Sequence, residues 1–575
     1  MRRPVLLAVV LAVLTLSAPV AAAVPGSVPV LDASTDSTLE SAQEGAPADP
    51  ETDVLGWENG YWYNESIDVD PSDGLNDEEL DKVVARSMAR VEEVRGLEFE
   101  RTVPVEIYTR EQLQQELSQG SSNVSADQRL HQNVKYEATF MVGESTDAVG
   151  VQQSNQGASV GGYYSPAAER IVVVSENAES PQLDEITLSQ ELFHALQDQQ
   201  FDIGSYNQST REKHNAIDGI VEGDGNYVDY LYQQRCELPD DDPNAWGDCL
   251  ADSPASGSGD QATGQSSLNL GLYLVVYQPY SDGPAFVRTI HEQQGWEAVN
   301  AIYENPPAST EQTIHPELYG EDAPTEVTIE DRSDDRWNVL ELEGGVDYAE
   351  FGEGGIASMF IYPTYASEGQ GGLLAPQEFL NLNETNQVDS FDPINYNQSW
   401  SNGWDGDKLL PYVADDAGTN ETGYVWKMHW DSPEEAQEFR SGYERLLGFH
   451  GATQVGQDTY VVEQGEFADA FHVTVEGNTT TIVNAPTVED LSGVDGSVEV
   501  QEVQSGQNGT TTAGTNGGTT ATEGGSTGDT ATGGTSNDSV PATGDDGTTA
   551  ETGPGFGVVV ALVALLAVAL LARRE

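Results

Sequence analysis

A net charge of −74 limits the conditions under which this chain can hold a compact fold. The charge arises from 97 acidic and 23 basic residues, only five of them lysines, in a chain of 575 residues. Such self-repulsion opposes a compact state at low ionic strength. At molar salt the Debye length falls to roughly 3 Å, so most of the repulsion is screened. The charge also argues against nucleic acid as a partner, because phosphate binding needs a basic face.

The N-terminus has the three parts of a secretory signal peptide. Basic Arg2 and Arg3 precede an apolar run over residues 5–16, and small alanines at 21–23 form an A-x-A site. We therefore predict that residues 1–23 are a signal peptide, with an uncleaved N-terminal anchor as the alternative. Residues 24–56 are rich in Ser, Thr, Asp, Pro and Ala, and are predicted to be a disordered leader.

The C-terminus also has distinct parts. Residues 487–553 are rich in Gly, Thr and Ser and lack the apolar residues that offset chain entropy, so they are predicted to form a disordered stalk. Residues 554–575 contain Pro554-Gly555-Phe556, an apolar run, and Arg573-Arg574. Arginines suit a cytoplasmic flank, which leaves the body of the protein outside the cell. An intact single-span anchor is one explanation of this tail.

The tail and the composition each resemble a known class of protein. The tail resembles the archaeal PGF-type sorting signal, found on surface-layer glycoproteins. That resemblance implies cutting near Pro554, Gly555 and Phe556 by an archaeosortase and transfer to a membrane lipid. The acidic, lysine-poor composition resembles proteins of extreme halophiles. We therefore expect a haloarchaeal protein on the extracellular face of the cell membrane, anchored at its C-terminus.

Export also determines how the cysteines and sequons are interpreted. Cys236 and Cys249 are the only cysteines, and two cysteines this close in an exported protein most simply form one disulfide. N-x-S/T sequons become candidate glycosylation sites in an exterior protein. They lie at Asn64, Asn123, Asn207, Asn383, Asn397, Asn420 and Asn478, with two more at Asn508 and Asn537 in the predicted stalk.

The part of the chain between leader and stalk is predicted to be α+β. It is too long for one typical core, so we predict domains over residues 57–325 and 326–486. Periodicity and capping signals predict helices over 76–95, 111–117, 181–200, 211–234, 267–277, 283–294 and 433–447, and strands over 103–108, 170–175 and 423–430. On the last strand, Tyr424, Trp426, Met428 and Trp430 share one face. That face is expected to be core, with a binding face as the alternative.

One predicted helix carries residues with catalytic chemistry, Gln190-Glu191-Leu192-Phe193-His194. In zinc peptidases the pattern H-E-x-x-H places two histidines one helical turn apart on one metal, with the glutamate beside the metal-bound water. Here Gln190 replaces the first histidine, and a carboxamide oxygen is a poor match for zinc beside imidazole. Glu222, on the next predicted helix, is available as a further ligand. His214, earlier on that helix, is a candidate replacement for the missing imidazole.

Three sequence blocks around this motif carry a family resemblance. They read Q-E-L-F-H-A-L-Q-D-Q-Q-F, I-V-E-G-D-G and, over 309–319, S-T-E-Q-T-I-H-P-E-L-Y. They are similar to a family of exported zincin-like metallopeptidases of bacteria and archaea. The resemblance implies a zincin-like domain over residues 57–325, Zn²⁺ as cofactor, Glu191 as general base, and His194 and Glu222 as metal ligands. It is followed here by a smaller α+β domain, and Gln190 occupies the position of the first ligand.

Two functions of different classes follow from these observations. One is a surface-anchored zinc endopeptidase that acts on extracellular protein or peptide, with Glu191 as general base. The other is a surface glycoprotein that uses an inactive zincin scaffold for binding or for cell-wall structure. Bound metal in the purified protein separates the two.

Overall fold

The computed structural model describes residues 49–500, with gaps at 122–123, 176, 179, 240–241, 243, 247–248, 251–267, 368–370, 384 and 416–420. The predicted signal peptide, most of the predicted leader and stalk, and the whole PGF-type tail lie outside these residues. Helices and sheets both form, so the predicted α+β class is confirmed. The zincin-like assignment of residues 57–325 stays a prediction.

Small sheets and many helices make up the chain before residue 326. The strands are β1 (Trp57–Glu58), β2 (Tyr61–Trp62), β3 (Val105–Tyr108), β4 (Gly162–Ser165) and β5 (Arg170–Val174). The helices are α1 (Asp77–Arg95), α2 (Arg110–Ser121), α3 (Ala126–Ala138), α4 (Ala148–Ser159), α5 (Glu185–Phe201), α6 (Arg211–Glu237), α7 (Leu270–Gln294), α8 (Trp296–Glu304) and α9 (Thr310–Ile314). In a three-stranded sheet, β5 is parallel to β3 and antiparallel to β4. The edge strand β4 lies against α5.

A seven-stranded antiparallel sheet dominates the chain after residue 326. Its strands are β6 (Trp337–Val339), β7 (Trp404–Ala414), β8 (Thr422–Trp430), β9 (Thr453–Gly456), β10 (Thr459–Val461), β11 (Ala470–Glu476) and β12 (Thr479–Ala485). Their order across the sheet is β6-β7-β8-β12-β11-β10-β9. The accompanying helices are α10 (Gly352–Ala366), α11 (Pro376–Phe379), α12 (Pro433–Phe449) and α13 (Leu491–Val494).

The predicted core face of β8 is confirmed. Its four large side chains are at most 2% exposed and pack with apolar residues of α12, among them Phe439 and Tyr443. The same buried cluster contains Phe140 and Met141, which precede residue 326. Side chains from both predicted domains therefore share one core, and the division at residue 326 stays a prediction.

The helix that carries the Gln190-to-His194 motif begins later than predicted. Ser180 followed by Pro181 is a typical start of a helix, and it is the reason why the helix was predicted from residue 181. In the structure α5 begins at Glu185, and Asp184 caps it by accepting from two backbone N–H groups of the first turn. The hydroxyl of Ser180 instead donates to the backbone carbonyl of Asp73. The carbonyl of Pro181 accepts from another backbone N–H of that segment. These tertiary hydrogen bonds hold residues 180–184 outside the helix.

A buried carboxylate fixes the N-terminal end of α5. Glu185 is fully buried, and its oxygens lie 3.2 Å from an Nη of Arg86 and 2.5 Å from an Nη of Arg90. The hydroxyl of Tyr232 on α6 donates to the same carboxylate over 2.6 Å. A buried carboxylate is tolerated only when it is paired and hydrogen-bonded in this way. The network therefore holds α5 in a defined position between α1 and α6.

The predicted helices over 267–277 and 283–294 form one continuous helix, α7, which passes through Pro279 and Pro284. The prediction of two separate helices is therefore wrong, although a proline inside a helix removes a hydrogen bond and crowds the preceding turn. Helix α6 packs closely along α7, and tertiary contacts of this kind stabilise a helix that contains proline. Helices α3 and α4 have no counterpart among the predicted elements.

The folded body extends beyond both predicted boundaries. Residues 491–494, inside the predicted stalk, form α13, and Leu491, Val494 and Val498 are buried in a core with Trp337. These apolar residues pack the first part of the predicted stalk against the large sheet, although the rest of the predicted stalk is polar. At the other end, Val54 makes an isolated bridge with Trp57, so part of the predicted leader is also structured.

Candidate functional site

Helices α5 and α6 bring three of the predicted site residues together. Nε2 of His194 lies 3.3 Å from Oε2 of Glu222. Glu191 and His194 are 4% and 8% exposed, and the Glu222 side chain is 14% exposed. The carboxyl of Glu191 lies beside the edge strand β4, since a Cβ placed on Gly162 would be 3.2 Å from Cγ of Glu191. The structure thus brings Glu191, His194 and Glu222 together, and their roles as base and metal ligands stay predictions.

A chain of hydrogen bonds behind His194 sets the orientation of its imidazole. Nδ1 of His194 lies 2.7 Å from Oε1 of Gln197. The amide nitrogen of Gln197 is occupied, because it donates to the carbonyl of Val221 and to the hydroxyl of Tyr303. That hydroxyl in turn donates to Asp224 over 2.8 Å. Gln197 therefore presents its carbonyl oxygen, Nδ1 carries a proton, and Nε2 is directed at Glu222.

The site has more negative than positive groups. Burial raises the pKa of Glu191 to about 7, with His194 opposing the rise and Glu222 adding to it. Burial by itself lowers the pKa of His194, but Glu222 and Glu191 outweigh it and raise that pKa to about 10. Burial also raises the pKa of nearby Asp229 well above its usual value. A positive charge at His194, carried by a proton or a metal, is therefore favoured.

The other two predicted ligands behave differently. Gln190 is 2% exposed on the same helix. His214 pairs with Asp218, at 3.0 Å between Nε2 and Oδ2. Among the described residues, one group of three His, Cys, Asp or Glu side chains has its ligand atoms within 4.8 Å of one another, and that group lies elsewhere in the fold. His214 therefore does not complete a three-ligand set with His194 and Glu222.

The donors fit zinc only in part. Two ligands at about 2.0–2.1 Å from a tetrahedral zinc lie about 3.3 Å apart, which matches the separation of Nε2 and Oε2. Oε2 of Glu222 is buried and accepts no well-directed hydrogen bond. A zinc site of this type needs a third protein ligand, however, and the residue at that position of the motif, Gln190, offers only a neutral carboxamide. The residues present therefore do not make the three-ligand set that zinc peptidases use.

The network behind His194 contains residues that we did not predict as functional. Gln197 and Asp224 lie inside the sequence blocks that carry the family resemblance, so those blocks contained a signal for them. Asp224 also forms a fully buried ion pair with Arg95, at 3.0 Å. No sequence signal marked Arg95 or Tyr303, because both reach the site only through tertiary packing.

The remaining candidate residues are the two cysteines, the sequons and the sorting signal. Cys236 and Cys249 form the expected disulfide, with 5.7 Å between their Cα atoms. The sequons in the described part of the chain are exposed, at Asn64, Asn207, Asn383, Asn397 and Asn478. The side-chain amide of Asn478 donates to the carbonyl of Trp430. Asn123, Asn420, Asn508 and Asn537 lie outside the described residues, as do Pro554, Gly555 and Phe556. Glycosylation stays a prediction.

Comparison with known proteins gives two matches. The PGF-CTERM motif matches residues 553–575. The protein is anchored at the cell surface by its C-terminus. The match confirms the predicted sorting signal, and motifs of this kind are processed by archaeosortase. Within residues 49–500, apart from their gaps, no helix is long and apolar enough to cross a membrane.

The second match concerns the body of the surface protein. A family described as a domain of unknown function (DUF8575) matches residues 338–495. That region contains most of the seven-stranded sheet together with α10, α12 and α13. No curated protein and no solved structure matches the chain. The region that contains Glu191, His194 and Glu222 lies outside both matches.

Proposed function

We propose that this haloarchaeal surface protein is not a peptidase, and that its zincin-like site holds a protonated His194 where active relatives would hold zinc. The observation that carries the proposal is the incomplete ligand set. His194 faces Glu222 at 3.3 Å, but Gln190 stands in the first ligand position and His214 is paired with Asp218. The body then serves a binding or wall-structural role outside the membrane.

Electrostatics support this proposal. A metal ion would normally balance the carboxylates of such a site, and here an imidazolium at His194 supplies one positive charge between Glu222 and Gln197. Both ring nitrogens then point at oxygen atoms. A buried charge that is hydrogen-bonded on one side and ion-paired on the other is tolerated without a metal.

Restoring the missing imidazole tests the proposal. The wild-type protein, purified in molar salt from its host, is expected to contain no stoichiometric zinc by elemental analysis. Gln190→His is expected to raise zinc affinity by at least about 100-fold. Loss of a residue that only hydrogen-bonds to a metal ligand already costs about 10–100-fold in affinity, and loss of a ligand itself should cost no less. Gln190→Ala is the matched control and should not bind zinc. One zinc per wild-type chain would contradict the proposal.

A zinc endopeptidase is the second candidate, favoured by the zinc-like spacing of Nε2 and Oε2 and by the carbonyl that orients Nδ1. When bound, zinc would polarise a peptide carbonyl and activate water. In this chain Glu191 would hold the proton taken from that water, and its pKa of about 7 suits the task. Hydrolysis of extracellular protein that is lost in Glu191→Gln would establish this candidate. Equal, background hydrolysis by both forms would exclude it.

A further inference from the structure

A second cluster of acidic side chains lies apart from the site of His194. Glu311 on α9, Asp322 in the following turn and Asp431 at the end of β8 each offer a carboxylate oxygen, and these oxygens all lie within 4.8 Å of one another. Glu311 is buried, Asp322 is half-buried and Asp431 is exposed. The cluster therefore has one end in the fold and one end in solvent.

Glu311 is the unusual member of this cluster. Its side chain is only 2% exposed. Among the described residues, it makes no side-chain hydrogen bond and no ion pair, in contrast to the neighbouring Glu353, which pairs with His315 at 3.1 Å. A buried carboxylate without a partner costs several kcal/mol, so proteins rarely keep one. An unpartnered buried carboxylate directed at two others indicates a missing positive charge.

The surroundings of the cluster supply no such charge. Neither Asp322 nor Asp431 forms an ion pair with a described Lys, Arg or His. Burial raises the pKa of Glu311 to about 9, and Glu353, Asp431, Asp322 and Glu212 add to the rise. Burial likewise raises the pKa of Asp431 to about 6, with contributions from Asp322, Glu435 and Asp405. All of the charged neighbours that shift these two pKa values are acidic.

Hydrogen bonds and a helix cap fix the backbone segments that carry the three carboxylates. The side-chain amide of Gln312, next to Glu311, donates to the backbone carbonyl of Asp322. The backbone N–H of Asp431 donates to the carbonyl of Gly403 over 2.8 Å. Asp431 also directly precedes Ser432, the N-cap of α12. The cluster is therefore built on three fixed segments.

We propose that Glu311, Asp322 and Asp431 bind one calcium ion. Carboxylate oxygens are the ligands that Ca²⁺ prefers, whereas zinc sites draw on His and Cys. Two oxygens on opposite sides of an ion at about 2.4 Å lie about 4.8 Å apart, so oxygens that all lie within 4.8 Å of one another are close enough to share one Ca²⁺. Water completes the shell on the solvent side, at Asp431. The ion links α9 to the turn between β8 and α12.

This ion would join parts of the chain that the family match separates. Glu311 and Asp322 precede the matched region, residues 338–495, and Asp431 lies within it. A cation bound by both parts stabilises the folded state by mass action, because the unfolded chain does not hold the three carboxylates together. Its role is structural and independent of whether the site at His194 binds metal.

A calcium titration of the whole folded protein tests this site. The protein is treated with a chelator, dialysed into molar KCl and unfolded by heat with and without 1 mM CaCl₂. We expect calcium to raise Tm of the wild type by at least about 2 °C. Glu311→Gln is expected to weaken calcium binding at least about 10-fold and to abolish this rise. Without calcium, that variant should be at least as stable as the wild type, because it replaces a buried carboxyl whose ionisation is opposed by burial and by its acidic neighbours.

Two control variants separate this site from other effects. Glu317→Gln removes an exposed charge close by and should keep the full calcium response, as should Glu222→Gln in the site of His194. A calcium response in Glu311→Gln equal to that of the wild type would overturn the proposal. So would a wild type that gains no stability from calcium, or one that responds to Mg²⁺ alone.

Discussion

His194 illustrates how one residue decides between the two proposed functions. Its Nδ1 donates to Gln197 and its Nε2 faces Glu222, so the imidazole can carry a proton or contribute to a metal site without moving. A proton and a metal ion would each place a positive charge at His194. What differs is whether the positive charge titrates, and this is measurable.

We predict that His194 stays protonated up to a pH of about 10. Its pKa in the folded state lies above the unfolded value of about 6.5, so its stabilising effect is complete below pH 6.5 and is lost as pH rises through about 10. Side-chain ¹⁵N NMR of the protein, which has only eight histidines, would follow the titration. Glu191, Asp229 and Glu222 face the ring.

Glu222→Gln is the matched variant for this titration. Without the carboxylate, burial dominates, and the pKa of His194 should fall by several units. A neutral His194 at pH 7 in the wild type, with an Nε2 shift typical of metal ligation, would contradict the prediction.

Helices α6 and α7 cross so closely that two glycines meet. A Cβ placed on Gly223 would lie 2.6 Å from both the carbonyl carbon and the carbonyl oxygen of Gly283. On the same helix, a Cβ on Gly225 would lie 3.1 Å from Cε1 of His194. The glycines of the E-G-D-G block thus allow α6 to approach both α7 and the imidazole.

We predict that Gly223→Ala destabilises the fold by roughly 1–3 kcal/mol, because the added methyl group would force backbone apart. Gly448→Ala in α12 is the control, since a Cβ there meets nothing within 4 Å. That change should stabilise by up to about 1 kcal/mol through helix propensity. Urea unfolding in molar KCl would measure both. Equal effects of the two variants would show that the α6–α7 contact is not tight.

Local signals predicted some elements well and others poorly. The helix from Asp77 begins at a capping box of Asn76 and Glu79 and ends at Gly96, all of which can be read from neighbouring residues. The start of α5 could not be predicted from neighbouring residues. The hydroxyl of Ser180 donates to Asp73, which is distant in sequence, instead of capping the helix. The continuity of α7 depends in the same way on packing against α6.

The candidate sites show the same contrast. Glu191, His194 and Glu222 were predicted from helical spacing and a family resemblance, and the structure brings them together. The acidic cluster was not predicted, because its residues are far apart in sequence. Glu311 lies in the block over 309–319, but Asp322 and Asp431 lie outside all three blocks. Only the tertiary fold, in which α9 lies against the end of β8, makes a site of them.

At the scale of the whole molecule, the surface location and the charge belong together. The PGF-CTERM motif anchors the chain outside the membrane, where the body meets the salt concentration of the surroundings directly. The body therefore has to tolerate external salt. Because the whole chain has 97 acidic residues against 23 basic ones, we expect the folded state also to require that salt. Few of its surface carboxylates have a cationic partner, because so few cations exist in the chain.

We predict that the protein loses stability steeply as KCl falls from about 1 M to 0.1 M, where the Debye length grows from roughly 3 Å to 10 Å. Circular dichroism during heating, at fixed saturating calcium, would measure Tm at each salt concentration. NaCl at equal ionic strength should act like KCl, because screening depends on ionic strength. Molar sucrose in 0.1 M KCl should restore less stability, since it favours burial without screening charge. An equal Tm at both salt concentrations would mean that the carboxylates are spaced widely enough not to repel one another.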